Sequence, residues 1–214
     1  MNTAAPLRVL GKASSINVRK VLWTCAALQL EVEREDWGSG FRATDVAAFL
    51  QLNPNAMVPV IDDAGFVLWE SNTICRYLAT KQAAHGLLPQ EAQRRARVEQ
   101  WMDWQATELN TAWRYAFMAL VRHSPQHTDP AAIAASVAGW HRHVAILEQQ
   151  LAAGGPFVCG TTFTLADVVL GLSINRWRAT PLPDRPAMPA VTAWFEQALA
   201  TQPGFREHCD NGMA

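Results

Sequence analysis

The sequence predicts an α/β domain followed by an all-α domain, and three observations carry that reading. Over the first 80 residues, short strand patterns alternate with helical patterns. From about residue 91 the apolar spacing is helical almost to the end. Between the two, "QAAHGLLPQ" (82–90) is punctuated by Gly86 and Pro89. The expected division is residues 1–82, a linker at 83–90, and 91–214.

The elements follow in order. "LRVLG" (7–11) is a short strand. Val18, Val21, Leu22, Cys25 and Leu28 then recur at helical spacing. "EVERE" (31–35) reads as a polar edge strand, and "ATDVAAFLQLNP" (43–54) as a short helix stopped by Asn53-Pro54. "MVPVI" (57–61) and "FVLW" (66–69) are strands joined by the turn Asp62-Asp63-Ala64-Gly65. Glu70-Ser71-Asn72 opens a further helix, "TICRYLA". Four helical stretches complete the chain, at 91–122, 130–153, 164–177 and 189–201. In the third, Thr164 with Asp167 three residues on forms a capping-box pattern that stabilises a helix rather than reacts.

Composition narrows the function. Of 214 residues, half are apolar and 17% charged, with a formal net charge of -1. There is ample core material and no basic excess to draw nucleic acid or an anionic membrane. No stretch approaches the run of about 20 apolar residues that a membrane span needs. "MNTAAPLRVLGK" has no apolar core of signal length. Cys25, Cys75, Cys159 and Cys209 form no CxxC and are expected to be reduced thiols in the cytoplasm. His123 and His127 are separated by Pro125, and His141 and His143 are only two apart, so no metal site is expected. There is no Gly-rich phosphate loop.

Three polar motifs remain. Ser14, Ser15 and Asn17 stand at the mouth of the first helix, where one of them suffices as a cap. The positive end of a helix also favours an anion such as a thiolate. In "NAMVPVI", Pro59 removes a ladder donor; it is either an edge position or a cis peptide exposing the Val58 backbone to a peptide-like ligand. In "WESNTI", Glu70 and Ser71 either cap the helix or hold an amino-acid head group, the serine and helix end taking its carboxylate and Glu70 its ammonium.

With a helical domain behind them, "SSINVRKV", "NPNAMVPVI", "WESNTICRYLA" and "FTLADVVLG" resemble the cytosolic glutathione S-transferases over essentially the whole chain, and the bacterial theta-like members with a serine or asparagine at the helix mouth in particular. The resemblance implies a thioredoxin-like first domain, an all-helical second domain and a homodimer. It implies glutathione as co-substrate, with no tightly bound cofactor and no metal. Ser15, four positions before Arg19, matches the family's catalytic serine; Asn17 and Ser14 are the alternatives. Val58 beside a cis Pro59 would hold the cysteinyl part of glutathione, and Glu70 and Ser71 the γ-glutamyl end. Met57 stands where the family often places a basic or amide side chain for the glycyl carboxylate. Trp104, Trp113, Arg114 and Met118 would line the electrophile pocket, although each equally suits core packing. The implied activity is conjugation of glutathione to small electrophiles. The rival readings are a glutathione-dependent dehalogenase or peroxidase, and a non-catalytic binding module. Disulfide reduction is disfavoured because no cysteine stands at the helix mouth.

Overall fold

The structure is a computed structural model that describes residues 6–212. Two compact units emerge: residues 6–85 with 203–209, and residues 86–202 with those that follow 209.

The first unit is built on a four-stranded sheet: β1 (Leu7–Leu10), β2 (Val32–Glu35), β3 (Val60–Asp63) and β4 (Phe66–Trp69). Their order is β2-β1-β3-β4, parallel between β1 and β2 and antiparallel in the other two pairs. The polar strand is at an edge, as its composition predicts. Between β3 and β4 the loop is only Ala64-Gly65, with φ +53° and +93°. Positive φ at both positions matches the twist of a tight hairpin, and Asp62 Oδ1 accepts from Gly65 N at 2.8 Å.

Helices α1 (Ile16–Ala27) and α3 (Ser71–Lys81) belong to this unit and contact each other. The helix expected over 43–54 shrinks to one turn, α2 (Ala47–Leu50). The buried Phe49 anchors it against Leu10 and Val60, with Trp37 and Val58 alongside. The segment 203–209, expected in the helical half, returns to α1. There Trp23 Nε1 donates to the Pro203 carbonyl at 3.0 Å, and its ring meets Phe205 at 5.7 Å.

The second unit is helical. The long helix expected over 91–122 is α4 (Ala92–Trp104) and α5 (Asn110–Leu120), joined by a π-helical stretch, Gln105–Leu109. α6 (Pro130–Ala153) starts at an Asp129 cap whose carboxylate accepts from Ala131 N at 2.9 Å. α7 (Leu165–Ala179) is the buried centre of the unit. The expected capping box is present: Asp167 Oδ2 accepts from both the amide and the hydroxyl of Thr164 at 2.9 Å. α8 (Pro189–Ala193) continues into π and 3-10 turns to Thr201. Cys25, Cys75 and Cys209 are buried free thiols, and Cys159 is a free thiol with partial exposure. Among the described residues there is no helix long and apolar enough to cross a membrane, and no cluster of metal-ligating side chains.

Candidate active site

Strand register assembles the site. Glu35, Leu10, Val60 and Trp69 pair in one row across all four strands. The residues just beyond that row therefore share one end of the sheet: Gly11 leading to α1, Pro59 entering β3, and Glu70 leading to α3. Strands about 4.8 Å apart make that row roughly 14 Å wide, enough to seat an extended tripeptide of about 10 Å.

At the first position the chain turns sharply. Gly11 has φ +152°, and a Cβ there would lie 2.4 Å from Val18 Cγ2 and 3.1 Å from Val58 Cβ. Only glycine permits this approach. Ser15 is then the N-cap of α1, with extended backbone (φ -77°, ψ 124°), yet its side chain makes no cap hydrogen bond. No described residue bonds its hydroxyl. The first turn of α1 carries no acidic residue, so the positive helix end is uncompensated. Ser14 is exposed and precedes the cap, while Asn17 is half-buried inside the first turn. The capping reading thus fails for the Ser15 side chain.

At the second position, Val58–Pro59 is a cis peptide. The ladder begins only at Val60, and no turn or loop backbone hydrogen bond among the described residues involves Val58. Its side chain packs on the Leu10, Phe49 and Val60 cluster, which fixes the backbone in place. Met57 is 62% exposed, and its carbonyl accepts from Asn53 Nδ2 at 2.7 Å. A thioether offers no charge to a carboxylate.

The third position has the most unusual backbone. Glu70 caps α3 at φ +74°, ψ 107°, again without a side-chain cap bond. A non-glycine residue there costs on the order of 1–3 kcal/mol and persists where the surrounding structure imposes it. The Glu70 side chain is exposed, and the mostly buried Ser71 has an uncommitted hydroxyl among the described residues. Behind them Lys20 Nζ of α1 donates to Asn72 Oδ1 of α3 at 3.2 Å, which ties the two helix starts together.

One residue was not singled out in the sequence. Lys12 sits between Gly11 and Ser14, its Nζ donating to the Ser39 carbonyl at 2.9 Å. Its stem and Val58 both come within 3.9 Å of where a Cβ on Gly38 would be. The loop it touches is pinned by Glu35, which accepts from Arg8 at 2.6 Å, Arg42 at 2.9 Å and Trp37 at 3.2 Å. The Arg8 bond foremost holds the Glu35 carboxyl below its ordinary range. A lone lysine in a polar turn gives no sequence signal beyond solvation.

The helical residues fall into two groups. Trp104 packs on Trp101 and His143, with ring centroids 5.2 and 5.8 Å away. Trp113 donates to Asn110 Oδ1 at 3.1 Å, meets Trp140 at 5.9 Å and lies under the buried Arg176 guanidinium at 4.5 Å. These contacts engage both rings within the unit. Arg114 is exposed, with no side-chain hydrogen bond or ion pair among the described residues, and Met118 is half-buried one turn on.

The mixed four-stranded sheet with its helices is a thioredoxin-like domain, and an all-helical domain follows it in the chain. The family model for the glutathione S-transferase N-terminal domain matches residues 5–80, and that for the C-terminal domain matches 130–197. Glutathione S-transferase GstB of Escherichia coli is 36% identical over 92% of this chain and 94% of its own. Rat glutathione S-transferase theta-1 is 32% identical over 72% of this chain and 65% of its own. A theta class glutathione S-transferase from Xanthomonas axonopodis pv. citri, solved with glutathione bound, superposes with a TM-score of 0.89. It is 33% identical and covers 98% of this chain and 100% of its own. The chain belongs to the glutathione S-transferase family.

Proposed function

We propose that this protein conjugates glutathione to small electrophiles, with Ser15 stabilising the thiolate. The observation that carries this is the uncommitted Ser15 hydroxyl at the open end of α1. A hydroxyl donor and the helix dipole there both favour the anionic sulfur. The thiol proton leaves to solvent, and the sulfur lone pair attacks the electrophilic carbon as its leaving group departs. The protein's part is orientation and electrostatic stabilisation.

In this reading the Val58 backbone pairs with the cysteinyl residue, and Glu70 and Ser71 take the γ-glutamyl ammonium and carboxylate. Lys12, rather than Met57, is the cation for the glycyl carboxylate. On the helical unit, Arg114 and Met118 are the candidates for the electrophile, because Trp104 and Trp113 already have packing partners. The active form in this proposal is a homodimer, which sedimentation would test.

The decisive experiment is ultraviolet titration of bound glutathione thiolate in the parent and in Ser15→Ala, Ser14→Ala and Asn17→Ala. The reading requires a thiol pKa below the free value of about 8.5, raised again in Ser15→Ala while glutathione still binds. A parent that binds glutathione without lowering its pKa is a binding module instead.

A further inference from the structure

The helical unit carries a small recess, lined within that unit alone and independent of the glutathione reading. It lies between the start of α4 and the segment 159–164 that leads into α7, with a volume of about 120 Å³. Pockets for drug-sized organic ligands start near ~300 Å³, so the recess suits an ion of a few atoms.

Its lining sets two exposed arginines and two exposed threonines around Gly86, Pro89 and Val98. Arg94 and Arg97, three apart on the first two turns of α4, both border it. The Arg94 side chain has no hydrogen bond or ion pair among the described residues, and Arg97 has only a long 3.4 Å contact to Gln100 Oε1. Thr161 and Thr162 add hydroxyls with no partner among the described residues. The Thr164 hydroxyl is committed to Asp167. The Cys159 thiol also lines the recess, and burial pushes it up to about 11, so it stays protonated at neutral pH and adds no negative charge. Two carboxylates are nearby: Glu91, whose charge faces the Arg94 guanidinium, and Asp167. Glu91 accepts from Gln93 N and Arg94 N at 2.8 and 2.9 Å. Asp167, beneath Thr164, accepts from Thr164, Val158 N and Trp194 Nε1.

We propose that this recess binds a small oxoanion of the phosphate type, held by the Arg94 and Arg97 guanidiniums and the Thr161 and Thr162 hydroxyls. Planar guanidinium forks match oxoanion geometry, and charge-assisted bonds of this kind are the strong ones.

Cys159 supplies the assay, since the other three cysteines are buried. Native protein is labelled with N-ethylmaleimide at pH 8.5, with and without inorganic phosphate, and Cys159 labelling is followed by peptide mass spectrometry. Sodium chloride at matched ionic strength controls for screening. Saturable phosphate protection, slowing labelling about tenfold, that is absent with chloride and weakened at least tenfold in Arg97→Gln is the expected result. Thr162→Val should weaken it less. Equal protection by chloride, no protection, or undiminished protection in Arg97→Gln would each overturn the proposal.

Discussion

Helix α7 starts at Thr164 with the polar groups of its cap engaged, whereas helix α1 starts at Ser15 with its hydroxyl engaged by no described residue. Both residues are hydroxyl N-caps with extended backbone. At α7, four donors converge on the fully buried Asp167: the Thr164 amide and hydroxyl, Val158 N and Trp194 Nε1. At α1 the first turn holds no acidic residue. A closed cap serves the fold, because buried polar groups must be paired. In the proposed function, the open cap beside the Val58 backbone and the Glu70–Ser71 side chains serves a ligand instead. Mutation should therefore separate the two ends cleanly.

The largest effect is expected from Asp167→Ala. It strands several buried donors and should cost about 3 kcal/mol or more. Urea unfolding would show it as a lower midpoint, and a melting temperature lower by roughly 10 °C would follow for a chain of this size. The thiolate pKa of glutathione bound to the folded fraction should not move. If Asp167→Ala leaves stability within 0.5 kcal/mol, the closed cap is not what holds α7.

The same carboxyl gives a pH dependence of comparable size. Burial pushes Asp167 up to about 6, against about 3.9 in an unfolded chain. Between those values the folded state holds a proton that the unfolded state has released. Stability from this group therefore falls as pH rises from about 4 to about 6, by up to roughly 3 kcal/mol. Urea midpoints measured across that interval should show the fall in the parent and lose this component in Asp167→Asn. A parent and variant with the same pH profile would refute the assignment.

Ser15→Ala should do the reverse of Asp167→Ala. With no cap bond to lose, stability should change by about 0.5 kcal/mol or less. kcat/KM with a haloarene should fall roughly ten- to hundredfold, or about 1.4–2.7 kcal/mol. A stability loss near 1 kcal/mol would instead mark Ser15 as an ordinary cap.

Much of this contrast was legible in the sequence, and the rest was hidden for identifiable reasons. The capping box at Thr164 and Asp167 is local, so spacing alone revealed it. The hairpin at Ala64-Gly65 and α6 from Pro130 were legible for the same reason. The π-helical stretch 105–109 was not, because it leaves the apolar pattern around it helical. Nor was the return of 203–209 to Trp23, a contact some 180 residues apart in the chain. Ser14, Ser15 and Asn17 were all visible, but composition does not say which residue begins the helix. Only the backbone places Ser15 at the cap. The row Glu35–Leu10–Val60–Trp69 is set by strand register, and no single segment contains it.

The smallest effect, and the sharpest test of the open end, lies at Glu70. Its backbone at φ +74°, ψ 107° lies at positive φ, where a Cβ adds steric strain that glycine does not carry. If Glu70 were retained for stability, replacing it would weaken the fold. The geometry argues the opposite: Glu70→Gly removes the strain and should raise stability by about 1 kcal/mol. The carboxylate is lost at the same time, so glutathione affinity should fall severalfold. Glu70→Gln separates the two contributions, keeping the strained backbone while removing the charge. It should leave stability nearly unchanged and still weaken glutathione binding. Isothermal titration and urea unfolding on both variants would decide. Should Glu70→Gly bind glutathione as well as the parent, the strained residue is not held in place for its carboxylate, and the γ-glutamyl end must be recognised by Ser71 and the α3 amides alone.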